Sequence, residues 1–475
     1  MQATQEFSQS IANPKIHEVV YFLKKLFENP VSRRLISKIA TPKRIERVLS
    51  IYCGVAKASG IEERIYARSI SEIVTKAAER FNVDEGLLKE GLKDPYYRRG
   101  VANVVAGIAK YGITLPQRLY APFLVVWNFT KKCNLRCKHC YANAGRIEDE
   151  LTLEEKLSLV KELDDAGVVA ISFSGGEPLI SRDFWKVAEY ASNLGFHVSV
   201  ATNGTLITRD IAERLKRVVD YVEISLDAAN PETHDGFRGI KGAFEKAIGG
   251  IKNCVKAGIL TAIATTATKL NLYEIPEIVS LAENLGVYRL VVFNFIPTGR
   301  GKEITSLDLT VEERKWLLDF LYENLQKRNL QVLSTSPLYA VVSVEKVLKG
   351  KGIRVTPTHF ADVCIPSDSA LILADFLGGC GAGRLYCGIQ WNGDITPCVF
   401  LPLVVGNYRE GFLRVWQENS VLKALRDRDD PEYACSECDY RYICGGCRAR
   451  AYGYFGDVRG MDPGCFIRKN LTIVG

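Results

Sequence analysis

The chain has 475 residues, 47% hydrophobic and 25% charged, with a formal net charge of +7. That length exceeds the usual size of one domain, and the apolar content supports buried cores, so two or three domains are expected. There is no unbroken apolar run long enough to span a bilayer and no secretory signal pattern at the start, which excludes an integral membrane or secreted reading and predicts a soluble, cytoplasmic chain. Fourteen cysteines without a secretory signal, grouped at short spacings, point to metal more readily than to disulfides and imply a reducing compartment.

Residues 1 to 120 are predicted to form an almost entirely helical, basic domain. Through residue 121 there are 20 Lys and Arg against 12 Asp and Glu, a net +8, so the remainder is near neutral. The stretch HEVVYFLKKLFENPVSRRLISKI puts Val19, Phe22, Leu23 and Leu26 on one helical face, with Lys24, Lys25, Arg33 and Arg34 toward another. Basic amphipathic helices lie on anionic membrane surfaces, so one reading is peripheral association with the inner face of the membrane. An ordinary helical domain, apolar face inward and charges solvated, gives the same pattern. Nucleic acid is not expected as a partner, because no basic tract interleaved with aromatics occurs.

From 121 to 330 strand-like and helix-like runs alternate. Strands are predicted at 123 to 129, 168 to 173, 197 to 202, 221 to 227, 259 to 266 and 288 to 296. These βα units indicate an α/β fold with a parallel sheet, either doubly wound or a barrel. At the end of the first strand the segment TKKCNLRCKHCYANAG carries Cys133, Cys137 and Cys140 as CxxxCxxC. A four-iron cluster on three thiolates keeps one iron open. Zinc would normally want four ligands, one of which His139 could supply, and a disulfide would strand one thiol.

CxxxCxxC with His139 before its last cysteine resembles the signature of the radical S-adenosylmethionine (SAM) superfamily. The resemblance implies a partial (β/α)6 TIM-like barrel. It also implies that the open iron chelates SAM and that one electron cleaves it to a 5′-deoxyadenosyl radical, which takes a hydrogen atom from an unreactive C–H bond. Further residues match the family. SGGEPL, from Ser174 to Leu179, offers Gly175 and Gly176 for close backbone approach and the Glu177 carboxylate, and in the family this segment meets the SAM amino group. The third strand ends in Thr202, Asn203 and Gly204. The fourth ends in Ser225, Leu226 and Asp227, whose polar groups suit ribose hydroxyls. Arg238 in HDGFRG suits a carboxylate, and Asn294 opens NFIPTGR, which resembles the adenine-contacting edge.

Residues 331 to 475 carry a second cysteine system: Cys380, Cys387 and Cys398, then Cys435, Cys438, Cys444 and Cys447, then Cys465. The pattern is similar to the SPASM auxiliary-cluster domain of one branch of the family, whereas CxxC pairs alone would suit zinc equally. By motif position the resemblance gives Cys380, Cys387, Cys398 and Cys447 to an inner cluster and Cys435, Cys438, Cys444 and Cys465 to an outer one. The family usually places three residues between the last pair, where Cys444 and Cys447 enclose two. Three 4Fe-4S clusters are therefore expected, one binding SAM and two auxiliary. Cys53 and Cys254 fall in apolar helical stretches and read as core; Cys364 lies near the cluster domain.

The substrate is less legible. Where sulfatase-maturing relatives carry an Asp base after the third auxiliary cysteine, this chain has Val399, which argues against formylglycine formation. The leading expectation is hydrogen abstraction from a bulky apolar substrate, a membrane-lipid chain, with formation of a new bond. Alternatives are a peptide or protein maturase and a non-catalytic iron–sulfur electron carrier, and the expected electron donor is a low-potential ferredoxin or flavodoxin.

Overall fold

The computed structural model describes residues 40–80, 84–145, 149–327, 330–348, 354–355, 364–365 and 378–467. The basic amphipathic stretch from His17 to Ile39 lies outside the described residues. No described helix is long and apolar enough to cross a membrane.

Among the described residues four helices precede the barrel, Pro42–Tyr52, Ile61–Arg80, Glu85–Gly91 and Pro95–Tyr111. Asp84 and Asp94 cap the last two by accepting the backbone N–H of Leu87 and Tyr96, donors that a helix start leaves free. Ile45, Val48, Leu49, Cys53, Leu92 and Ala102 share a small core, the environment expected for Cys53. The fourth helix fastens this layer to the barrel. Asn103 Nδ2 donates to the carbonyls of Ala121 and Gly167, each at 3.0 Å, and buried Arg99 pairs with Asp164. Gly107 permits the approach, since a Cβ there would lie 2.4 Å from the Arg118 carbonyl oxygen.

Strands β1 (Leu124–Thr130), β2 (Ala170–Gly175), β3 (His197–Thr202), β4 (Tyr221–Ser225), β5 (Leu260–Ala267) and β6 (Arg289–Asn294) stand where alternation predicts them. They pair in chain order and all parallel, and β7 (Gln331–Ser334) continues the series past β6. Side chains alternate between two faces. On β4, Val222 and Ile224 join the core under the outer helices, while Tyr221, Glu223 and Ser225 face the barrel interior. β1 and β7 do not pair, so the barrel is partial and open.

After the helix Leu338–Leu348 and a small ribbon of β8 (Arg354–Val355) with β9 (Cys364–Ile365), the chain returns to the barrel. β10 (Tyr386–Ile389) pairs parallel with the free edge of β1, and β11 (Asp394–Thr396) and β12 (Gly406–Asn407) follow antiparallel. One ten-stranded sheet results, in the order β12-β11-β10-β1-β2-β3-β4-β5-β6-β7. The cysteine-rich segment is thus built onto the barrel edge and covers backbone groups that an edge strand would leave unpaired.

Candidate active site

β1 delivers the chain to the carboxyl-terminal mouth of the barrel, where residues 131–145 form a loop closed by the Gly145 N–H donating to Lys131 O at 2.9 Å. Cys133, Cys137 and Cys140 line a cavity of about 770 Å³ inside the barrel. Their sulfurs accept hydrogens from Leu135 N–H at 3.4 Å, Arg238 Nη1 at 3.7 Å and Ala144 N–H at 3.4 Å. Such donors favour thiolate, while burial works the other way, pushing Cys133 up to about 11 and raising Cys137. A cationic group among them would offset that penalty. Among the described residues no three or more Cys, His, Asp or Glu side chains close around a single ion. The three sulfurs stand around open space, which fits a cluster.

Two neighbours grip this loop. Arg136 and Lys138 N–H donate to the carbonyls of Arg238 (3.1 Å) and Phe237 (3.0 Å), at the end of the helix Pro231–Arg238. Arg300 donates through Nε to Cys137 O and through Nη1 to Ala144 O, each at 2.9 Å. Gly299, at φ 55°, makes room, because a Cβ there would lie 2.3 Å from Cys140 O. Tyr141 ties the loop to β1 and β2 by donating to Asn128 Oδ1 at 3.0 Å and sharing a hydrogen bond with Ser174 Oγ at 2.7 Å. The sequence reading gave neither Arg300 nor Tyr141 a role. The only signals were the turn after β6 and a tyrosine directly after the third cysteine.

His139, Gly175, Gly176, Asn203, Ser225, Arg238 and Asn294 share the cavity wall with the cysteines. His139 stacks on Phe237, centroids 4.0 Å apart and planes at 15°. Burial drops its pKa to about 3, so the ring is neutral, and its Nδ1 has no protein partner. A buried polar atom left free on the wall fits a bound ligand. Gly176 is required by crowding: a Cβ would meet Lys132 O at 1.9 Å.

Two expected contacts need correction. Glu177 is fully buried and does not line the cavity; its carboxylate accepts from Thr202 Oγ1 at 2.7 Å, Asn203 N–H at 2.8 Å and Leu179 N–H at 3.2 Å. It brackets the ends of β2 and β3 and stays off the cavity wall. Asp227 is also fully buried behind the wall, 2.6 Å from Arg238 Nε and 3.6 Å from His139 Nε2, and accepts from Thr266 N–H at 2.8 Å. Burial pushes Asp227 up, but Arg238 and the neighbouring groups outweigh it and hold the carboxyl below its ordinary value. Asp227 therefore positions Arg238 instead of reaching a ribose.

The cavity extends to the amino-terminal end of the strands, where Tyr96, Tyr221, Glu223 and Arg289 line it. Burial pushes Glu223 up to about 7, with Arg289 pulling the other way. The sequence reading passed over Glu223, an inward residue of an otherwise ordinary strand.

The auxiliary segment forms two groups of thiols. Burial raises Cys444, and the charges of Cys435 and Cys465 raise it further; Cys438 N–H donates to Cys435 O at 2.9 Å in the same turn. Cys380, Cys398 and Cys447 share an apolar cluster and line one small cavity. Burial raises Cys398, to about 12, and Cys447, and the charge of Cys380 adds to both.

Cys387, expected as the fourth member of the inner set, is not with them. β10 pairs with β1 so that Tyr386 sits beside Leu124 and Cys387 beside Val125. Alternate residues face opposite sides. Leu124 and Tyr386 join the cluster of Cys380, Cys398 and Cys447, whereas Val125 and Cys387 join the outer core with Phe412 and Trp416. Burial raises the Cys387 thiol, and the charge acting on it is that of Arg426. Cys254 is core, as expected, and Cys364 lies in β9.

The model of the Radical SAM superfamily matches residues 127–282, and that of the SPASM iron-sulfur cluster-binding domain matches residues 380–439. An AdoMet-dependent heme synthase of Methanosarcina barkeri is 36% identical over 353 residues, 73% of this chain and 97% of that protein. Mycofactocin maturase MftC of Mycolicibacterium smegmatis is 32% identical over 358 residues, 73% of this chain and 83% of that protein. The crystal structure of Streptococcus suis SuiB bound to precursor peptide SuiA aligns with a TM-score of 0.62 and 19% identity over 88% of this chain and 92% of that one, a likeness of fold.

Proposed function

The chain belongs to the radical SAM superfamily and is a radical SAM/SPASM enzyme, and from that premise we propose that it modifies a carboxylate-bearing tetrapyrrole held in the barrel cavity. The observation that carries this reading is that one cavity is lined by Cys133, Cys137 and Cys140 and also by Cys398. A substrate there lies between a radical source and an auxiliary centre. The 36% identity to the heme synthase over 97% of its length supports the substrate class. A cavity of about 770 Å³ is of the size that encloses a large cofactor-like molecule.

When bound, the cluster on the three-cysteine loop would supply the electron that cleaves SAM to methionine and the 5′-deoxyadenosyl radical, and the auxiliary clusters would take up the electron left after hydrogen abstraction. The remaining work falls to the chain. Arg300 and the end of the helix Pro231–Arg238 hold the loop; Arg238, kept in place by Asp227, presents a guanidinium suited to a carboxylate. Ser225, Asn203 and the free His139 Nδ1 offer polar contacts, and Phe293, Val399 and Phe400 form an apolar wall that excludes water. One SAM-binding and two auxiliary clusters, with a low-potential ferredoxin or flavodoxin as donor, complete the proposal.

A peptide maturase is the second reading, favoured by the 32% identity to mycofactocin maturase. The lipid chain is not supported, because the relatives named above are a heme synthase and a mycofactocin maturase. The reconstituted enzyme, a chemical reductant and SAM are incubated anaerobically with an iron coproporphyrin, a panel of short peptides or a lipid extract. The tetrapyrrole should stimulate 5′-deoxyadenosine formation above the uncoupled background and change mass. Stimulation by a peptide or lipid alone overturns the tetrapyrrole assignment.

A further inference from the structure

We infer that Arg428 and Arg448 hold uncancelled positive charge between the two auxiliary thiol groups, and that this charge raises the reduction potentials of the auxiliary clusters above that of the SAM-binding cluster. The inference rests on the cluster reading above and adds two residues that set the electron affinity of the auxiliary segment.

Both guanidiniums are buried, Arg428 at 2% exposure and Arg448 at 0%. Their hydrogen bonds go to neutral groups. Arg428 donates to Cys380 O at 2.8 Å, Gly445 O at 3.2 Å and the Tyr433 hydroxyl; Arg448 donates to Gly460 O at 2.7 Å, Val458 O at 2.9 Å and Gly446 O at 3.3 Å. Among the described residues no carboxylate pairs with either arginine. The buried carboxylates of this region are already matched: Arg450 takes Asp462 at 3.0 Å and Asp308 at 2.9 Å, and Arg314 takes Asp308 at 2.8 Å. A buried charge without a counter-ion is strongly destabilising, so these two arginines call for anions beside them.

The anions within reach are the auxiliary thiolates and the clusters they hold. Both guanidiniums lie over the Tyr433 ring, 5.2 Å and 4.6 Å from its centroid, and Tyr433 is within reach of the charges of Cys435 in the outer group and Cys380 in the inner. Arg428 grips the Cys380 carbonyl while the Cys380 N–H donates to Cys444 O at 3.0 Å, so the pair sits at the seam of the two groups. Arg428 Nε and Arg448 Nη2 have no protein partner. Nη2 packs on Gly446, where a Cβ would lie 2.5 Å from it, and the Gly446 N–H donates to Cys444 Sγ at 3.4 Å. Free N–H groups at that place suit cluster sulfur.

The SAM-binding loop is built differently. Arg238 Nη1 reaches Cys137 Sγ at 3.7 Å, but Asp227 at 2.6 Å cancels its charge, and Arg300 is only half-buried, where water screens it. A cluster gains negative charge on reduction, so a buried cation beside it favours the reduced form. The two uncancelled arginines thus bias the auxiliary segment toward taking an electron.

The test uses the full chain, reconstituted anaerobically with iron and sulfide and followed by EPR against applied potential. The SAM-binding cluster is the signal that added SAM alters. In the parent the auxiliary signals should have the higher midpoints. Arg428→Met and Arg448→Met should each lower an auxiliary midpoint by at least a tenfold change in the reduction equilibrium, about 59 mV for one electron, and leave the SAM-binding midpoint in place. Arg428→Lys and Arg448→Lys, which keep the charge, should stay closer to the parent. Iron and sulfide content separates a shifted cluster from a missing one. Auxiliary midpoints at or below the SAM-binding one in the parent, a result that needs no variant, overturn the inference. Met variants that keep both their iron and the parent potentials overturn it too, as do Lys variants that fall as far as the Met ones. Loss of iron from the Met variants alone supports a charge role; loss from Met and Lys variants alike assigns the arginines to structure and overturns it. If the parent's auxiliary segment takes up no iron, the cluster reading itself fails, a result distinct from these.

Discussion

Two sets of three cysteines adjoin the barrel cavity, the first lining it directly and the second reaching it through Cys398, and they are assembled in opposite ways. Cys133, Cys137 and Cys140 share one loop, so the chain itself brings them together once Gly145 closes on Lys131. Cys380, Cys398 and Cys447 come from distant segments and meet only because β10 has joined β1 and the helix Arg448–Phe455 has docked nearby. In the first set spacing alone brings the three thiols together. In the second the pleat of a strand decides, and it turns Cys387 away.

This contrast can be broken most severely at the loop. Replacing Cys133, Cys137 and Cys140 with Ala should abolish SAM cleavage, read as 5′-deoxyadenosine, while iron remains on the auxiliary segment; loss of all iron would show the two regions are not independent. A smaller effect is expected at the loop's support. Arg238→Ala should lower cluster affinity or turnover about 10- to 100-fold, as for other groups that hold metal ligands, with Arg300→Ala toward the lower figure. Iron titration separates that outcome from a change confined to the KM for SAM. Glu177→Gln should destabilise the fold by about 1–3 kcal/mol, because the Asn203 N–H loses its acceptor, yet leave the KM for SAM within about twofold. Denaturant unfolding beside SAM kinetics checks it, and a large KM change would restore Glu177 as a ligand contact.

The narrowest effect, confined to alkaline pH, is a pH dependence inside the barrel. Burial raises Glu223 from an ordinary 4.5 to about 7. A folded value above the unfolded one contributes stability that is whole below pH 4.5 and lost as pH rises through 7. Glu223→Gln should remove that loss, gaining about 3 kcal/mol relative to the parent at pH 8 and nothing at pH 4. Equal stabilities at both pH values would show that water in the cavity already solvates the carboxylate.

Much of the fold was legible because strands of a covered barrel alternate between an outer core and an interior. Val222 and Ile224 against Glu223 and Ser225 show the pattern. The candidate ligand groups were legible because βα proteins gather function at the carboxyl ends of parallel strands. His139, Asn203, Ser225 and Arg238 lie together on one wall of the cavity. That rule could not say which polar groups reach the cavity: Glu177 and Asp227 satisfy neighbours behind it, and Arg300 serves the loop from a turn far along the chain.

The sequence by itself determined the chemistry class, because CxxxCxxC and the SGGEPL turn are local and a few residues of backbone set their geometry. Tertiary structure alone decided that Cys380, Cys398 and Cys447 gather at one small cavity while Cys387 lies in the outer core. Whether a strand cysteine faces a cluster or a core depends on pairing register with β1, and register is fixed by contacts that sequence spacing does not contain.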